Sequence, residues 1–244
     1  MTTKAYHRFK QRCDYYDCDL ELLDILVNQF RAIPNTNQNL AVALGSTKAN
    51  YQILGRRRNT QQSRNVVGGH LKSIFIAGFI KDIYEDFEEF VAETMVRAAQ
   101  KGIDAARFVG SYKLDIDAKF LLDAGDWDTI VRKISNEIFR KLENERSTIK
   151  VINGAINRLG LTIPALTIDS ALPFLECRHL LVHQDGKADA AFRAKYPTVR
   201  VATGKIVLSR QFATDAKKAI DDLAKAIDDE IIARGLVRPE DMRT

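Results

Sequence analysis

His70–Gly102 reads HLKSIFIAGFIKDIYEDFEEFVAETMVRAAQKG. Apolar side chains at Ile76, Phe79, Ile80, Ile83, Phe87, Phe90 and Val91 recur every three or four positions, which is the repeat of one buried face on an α-helix. Gly102 follows the last periodic residues and supplies a stop. The pattern predicts a long amphipathic helix over 70–101, with Phe87 and Phe90 in its core stripe. Glu85, Asp86, Glu88 and Glu89 read as a solvated face.

The same period recurs on both sides. Upstream, Leu20, Leu23, Val27 and Phe30 mark a helix over 14–33 with an acidic first turn, ended by Pro34. Between 35 and 69 the pattern weakens to partial helix and loop. Downstream, Asp126 caps a helix carrying Trp127, Ile130, Val131, Ile134, Ile138 and Leu142, and a further helix over 147–159 ends at Gly160. The stretch TIDSALPFLECRHLLVHQDG offers Asp169 or Ser170 as a cap, Pro173 in the first turn, and Asp185-Gly186 as a stop. TVRVATGKIVLS alternates about Thr203-Gly204 as a small hairpin, and Ser209 caps a last helix through Phe212, Ile220, Leu223, Ile227 and Ile231. The expected fold is an all-α helical bundle with a small β-hairpin before the final helix. The expected organisation is a basic helical and loop extension over 1–68, a helical domain over 69–235 and a tail over 236–244.

Composition narrows the classes. With 244 residues, 45% hydrophobic and 28% charged, the chain can bury a core without staples. Cys13, Cys18 and Cys177 are an odd, scattered set that forms no disulfide framework, the first residues carry no secretory pattern, and the longest apolar run, SIFIAGFI, is too short for a bilayer. A cytoplasmic protein without membrane contact is expected. Residues 1–70 hold ten Lys and Arg against five Asp and Glu, whereas the rest of the chain balances. The excess concentrates in GRRRNTQQSRN, so that Arg56, Arg57, Arg58 and Arg64 are candidate contacts to an RNA backbone, against the plainer reading of a solvated loop.

ECRHLLVHQDG, residues 176–186, places Arg178, His179 and His183 in an apolar, helix-like run. A guanidinium offers a planar fork of donors to phosphate oxygens, and an imidazole changes charge near neutrality. Together they suit cleavage of RNA, in which a histidine moves the proton of the ribose 2′-hydroxyl or of the leaving oxygen while the arginine stabilises charge on phosphorus. No metal or other cofactor is called for. His7, Cys13 and Cys18 lack a fourth ligand and fit no common zinc spacing. On an ideal helix, positions five apart differ by about 140°, so Arg178 and His183 pair only with a bent helix end or a second copy. RNVVGGH, 64–70, has a similar look, but Gly68-Gly69 argues against a helix-borne site there. His179 reads as a hydrogen-bonded core or interface residue and Cys177 as packing.

RHLLVHQDGKADAAFRAKYP, followed by VATGKIVLSRQFATDAKKAIDDLAKAI, resembles the C-terminal part of HEPN domains, an all-helical family whose active-site motif is an arginine, a polar residue and, four to six positions on, a histidine. The long helix with IYEDFEEFVAETM is similar to that family's leading helix. The resemblance spans 69–232 and is strongest over 178–227. It implies a metal-independent endoribonuclease acting as a homodimer with a composite site, in a bacterial defence, antiviral or toxin-antitoxin setting, with an antitoxin or other regulatory partner. In that scheme His183 is the general acid or base, Arg178 holds the scissile phosphate and His179 orients the site. His179 departs from the asparagine or aspartate common at that position. The rival expectation is a non-catalytic HEPN-like module that binds RNA, a nucleotide or a partner protein.

Overall fold

The computed structural model describes residues 1–145 and 147–243. In chain order it holds β1 (Thr2–Thr3), α1 (Lys4–Ala32), α2 (Leu40–Ala43), α3 (Gln61–Lys101), α4 (Ala105–Val109), α5 (Ala118–Asp123), α6 (Trp127–Glu143), α7 (Thr148–Leu159), α8 (Ala165–His183), α9 (Ala190–Lys195), β2 (Val201–Ala202), β3 (Lys205–Ile206), α10 (Arg210–Ala233) and β4 (Met242–Arg243). The all-α bundle with a small hairpin ahead of the last helix is thus the observed fold.

Helix α3 is the axis. Its stripe of Ile76, Phe79, Ile80, Ile83, Phe87, Phe90 and Val91 is buried, and α1, α6, α8 and α10 all pack on it. Each fully buried Ile or Phe there contributes roughly 1.5–3 kcal/mol. Thr60 caps α3 by accepting from the Ser63 amide, and Gly102 closes it in the left-handed conformation. Ion pairs fix α1 alongside: Arg12 bonds Asp86 and Glu89, Lys72 bonds Asp24, and Lys217 of α10 bonds Asp17. The chain ends are tied as well, since β1 pairs antiparallel with β4 and the Thr3 hydroxyl donates to buried Asp228 at 2.6 Å.

Several boundaries differ from those expected. Helix α1 begins ten residues before Asp14, because Thr3 supplies the cap and Ala5, Tyr6, Phe9 and Cys13 extend the apolar face. The acidic cluster of 14–24 therefore sits mid-helix. Helix α3 begins nine residues before His70, so the boundary expected at residue 68 falls inside it, and α1 contributes to the same core as α8 and α10. Gly68 is a close-approach residue: a Cβ there would meet Val27 Cγ1 at 3.2 Å and Arg31 Nε at 3.4 Å. Helix α8 starts at Ala165 behind Pro164, so Asp169 and Ser170 do not cap it, and Pro173 lies in its interior, where one backbone bond is lost. The hairpin at Thr203-Gly204 and the Ser209 cap, which accepts from the Phe212 amide, fall where the sequence puts them. Among the described residues no helix is long and apolar enough to cross a membrane.

Candidate active site

Ile168, Ala171, Leu172, Leu175 and Leu180 are buried along α8, which packs against α3 and α10. Its last turns border a cleft of about 780 Å³. Arg178, His179 and His183 all line this cleft. Tyr84 and Glu88 enter it from α3, Glu143 from the end of α6, and Ser147, Thr148 and Val151 from the start of α7.

Within one chain Arg178, His179 and His183 border the same cleft, although Arg178 and His183 lie about 140° apart around α8. Arg178 is half-buried and lays its guanidinium over the Tyr84 ring, 4.9 Å from the centroid. His179 and His183 are exposed, with ring centroids 5.0 Å apart and planes inclined by 51°. The guanidinium thus turns toward α3, while the two imidazoles lie one turn apart and tilted to each other. His179 is accordingly a cleft residue, not a core one. His183 is the last residue of α8, whose end is closed by the Gln184 and Gly186 amides donating to the Leu180 carbonyl.

The β2–β3 hairpin braces that helix end. The Ile206 amide donates to the Gly186 carbonyl at 3.0 Å, the Ala188 amide to the Gly204 carbonyl at 2.9 Å, and Lys205 pairs with Asp185 at 2.5 Å. The Lys205 hydrogen bond holds the Asp185 carboxyl below its ordinary range. A turn at Gly186, with φ of 72°, lets the chain double back to meet the hairpin.

Polar groups in the cleft are unevenly satisfied. Arg178 Nε is buried with no hydrogen-bond partner. A buried donor without an acceptor costs about 1–3 kcal/mol, a cost recovered when a ligand oxygen arrives. Burial raises the Glu88 carboxyl above its ordinary range and the nearby Glu143 charge adds to this, while Tyr84 and Arg178 pull it back. Burial and then the Glu88 charge raise the Tyr84 phenol. Cys177 is fully buried and its thiol is pushed up to about 12 by burial and then by Glu176, which fits packing.

The remaining candidates lie elsewhere. Arg56, Arg57 and Arg58 are exposed on the link from α2 to α3. Tyr84 follows the first residue of α3 by 23 positions, so the cleft lies roughly 35 Å along the helix from that link. Arg64 is 1% exposed and donates to Asn59, Asn35, Gln61 and the Arg31 carbonyl. It locks the turn before α3 onto the end of α1, which removes it from the candidate RNA contacts. The acidic face also divides: Asp86 and Glu89 hold Arg12, whereas Glu88 belongs to the cleft. Among the described residues no three His, Cys, Asp or Glu side chains converge as a metal site. Sequence reasoning missed Tyr84, Glu143, Ser147 and Thr148. Only Tyr84 carried a signal, as a polar-tipped aromatic one turn before Glu88. No family model, no curated protein and no solved structure matches this chain.

Proposed function

We propose that this chain is a metal-independent endoribonuclease of the HEPN kind, working as a homodimer with a composite site, in a bacterial defence or toxin-antitoxin setting. The observation that carries the reading is the unpartnered Nε of Arg178 in one cleft with two exposed imidazoles whose ring centroids lie 5.0 Å apart. Arg178 binds the non-bridging oxygens of the scissile phosphate, with Tyr84 fixing the plane of its fork. His183 takes the proton of the ribose 2′-hydroxyl, whose oxygen attacks phosphorus; the bond from phosphorus to the 5′-oxygen breaks, and the imidazolium returns the proton to that departing oxygen. His179, its ring centroid 5.0 Å from that of His183, orients it. The products are a 2′,3′-cyclic phosphate and a free 5′-hydroxyl. DNA lacks the attacking group and is not a substrate.

The test is incubation of the purified protein with total RNA in EDTA, followed by end-group analysis. Cyclic phosphate ends formed by the wild type and not by His183→Ala support the reading. Intact RNA, or ends of another chemistry, contradict it. Glu88, Glu143 and Glu176 favour a second reading, a non-catalytic module that binds a partner protein, since three carboxylates beside one guanidinium suit a basic protein segment better than a phosphate polyanion. Saturable binding of a Lys- and Arg-rich peptide, weakened in Glu143→Gln/Glu176→Gln, with no RNA cleaved, is the result that favours it.

A further inference from the structure

His179 and His183 are the one pair of histidines in the chain set four residues apart, and α8 runs through both. Positions i and i+4 share a helix face, which is the spacing from which two imidazoles grip one ion in helical zinc sites. Both side chains are exposed, and both line the cleft. The other histidines, His7 on α1 and His70 on α3, have no such neighbour.

The distance between the rings agrees with the spacing. A metal about 2.0–2.1 Å from each ring nitrogen, with about 1.1 Å from nitrogen to ring centre and a tetrahedral angle at the ion, sets two ligating imidazoles about 5 Å apart, centre to centre. The observed centroids are 5.0 Å apart. The rings therefore already stand at the separation that a shared ion requires.

The surroundings favour a cation. Glu176 lies three residues before His179 on the same face of α8, and Glu88 and Glu143 enter the cleft from α3 and α6. Against these three carboxylates the described lining sets one guanidinium, that of Arg178, which lies over the Tyr84 ring. A wall of that charge raises the local concentration of dications. Imidazole nitrogens select a borderline metal such as zinc, copper or nickel over magnesium or calcium, which demand oxygen. Among the described residues no three His, Cys, Asp or Glu side chains converge, so the protein supplies two ligands and water fills the other positions. Structural zinc sites close all four positions with protein ligands; a site with two binds its ion reversibly.

We propose that His179 and His183 form a site for a divalent transition-metal ion such as zinc, and that the bound ion silences the cleft. The silencing rests on the nuclease reading above. Coordination takes the nitrogen lone pair with which His183 accepts the ribose proton, and it ties the two rings to one another. The ion is thus an inhibitor that a chelator removes, and not a cofactor of cleavage.

The test begins with zinc alone and the purified full chain, free of RNA, in competition with a chromogenic zinc indicator. The wild type and Cys18→Ser, which removes the exposed thiol, are expected to bind one zinc per chain at low-micromolar concentration. His179→Ala and His183→Ala are each expected to bind at least about tenfold more weakly. Both side chains are exposed and alanine favours helix, so the fold tolerates the changes, which an unaltered circular dichroism spectrum checks. Excess magnesium is expected to leave the zinc in place. A wild type that takes up no zinc, or histidine variants that bind as the wild type does, overturn the proposal. The second arm adds zinc to the cleavage reaction. Wild-type cleavage is expected to fall as the site fills and to return with EDTA, and the residual cleavage by His179→Ala should need at least about tenfold more zinc to fall equally. Cleavage that is indifferent to bound zinc, or stimulated by it, overturns the silencing. Binding is read without RNA, so a chain that binds zinc through both histidines and cleaves nothing supports the site and counts against the nuclease reading alone.

Discussion

Arg64–His70 and Arg178–His183 look alike in sequence, each an arginine followed at short range by a histidine, yet the structure gives them opposite environments. Arg64 sits on α3 with its guanidinium saturated by Asn59, Asn35, Gln61 and the Arg31 carbonyl. Arg178 rests on an aromatic face, keeps a buried donor unpaired, and shares its cleft with two imidazoles. The spacing of residues does not separate a saturated brace from an arginine with a buried donor left over. What separates them is whether the polar atoms are already spoken for.

That contrast can be broken by substitution at either end. The largest effect is predicted for Arg178→Ala, which should lower cleavage about 10²–10³-fold while the melting temperature hardly moves; a variant with full rate would place Arg178 beside Arg64 as a brace. Arg178→Lys keeps charge but loses the fork, and should recover only part of the rate. Arg64→Met should do the converse: it leaves buried amide oxygens unpaired and costs about 3 kcal/mol in denaturant unfolding, with unchanged activity per folded molecule. A stable Arg64→Met protein that no longer cleaves would reverse the two assignments.

Smaller effects sharpen the comparison. Arg56→Ala/Arg57→Ala/Arg58→Ala, on the exposed link, should weaken RNA affinity about tenfold and flatten its salt dependence, with bound-state cleavage unchanged. An unaltered salt slope would assign those arginines to solvent. Glu88→Gln should be the mildest. Burial raises the Glu88 carboxyl, so its contribution to stability is present below the unfolded-state pKa and lost as pH rises through the higher folded value. The glutamine variant should therefore match the wild type near pH 4 and equal or exceed it at pH 7, within about 1 kcal/mol. A variant clearly less stable at pH 7 would mean that the Glu88 charge is needed by Arg178.

The helical period, the glycine stops and the caps at Asp126 and Ser209 were legible because they are local: each depends on residues within one or two turns. The starts of α1 and α3 were not, because the first turn of α3 is polar and the apolar Ala5, Tyr6 and Phe9 of α1 are interspersed with Lys4, His7, Arg8 and Lys10. Thr3 and Thr60 cap them, but burial of their early turns depends on partners far away, such as Asp228 against Thr3. Gly68-Gly69 reads as a loop in sequence, and its helical role is visible only with Val27 and Arg31 of α1 beside it. At the site, Arg178 and His183 were legible as residue types. Tyr84, Glu143 and Thr148 were not, since they come from three other elements and meet α8 only through the packing of α3, α6 and α7.

The most direct measurement is the single-turnover cleavage rate of a defined RNA in EDTA, for the wild type and for His183→Ala at matched folded concentration. Cyclic phosphate ends are expected from the wild type, with a rate lower by about 10²–10⁴ in the variant. Equal rates in the two proteins, or no cleavage by the wild type, would contradict it.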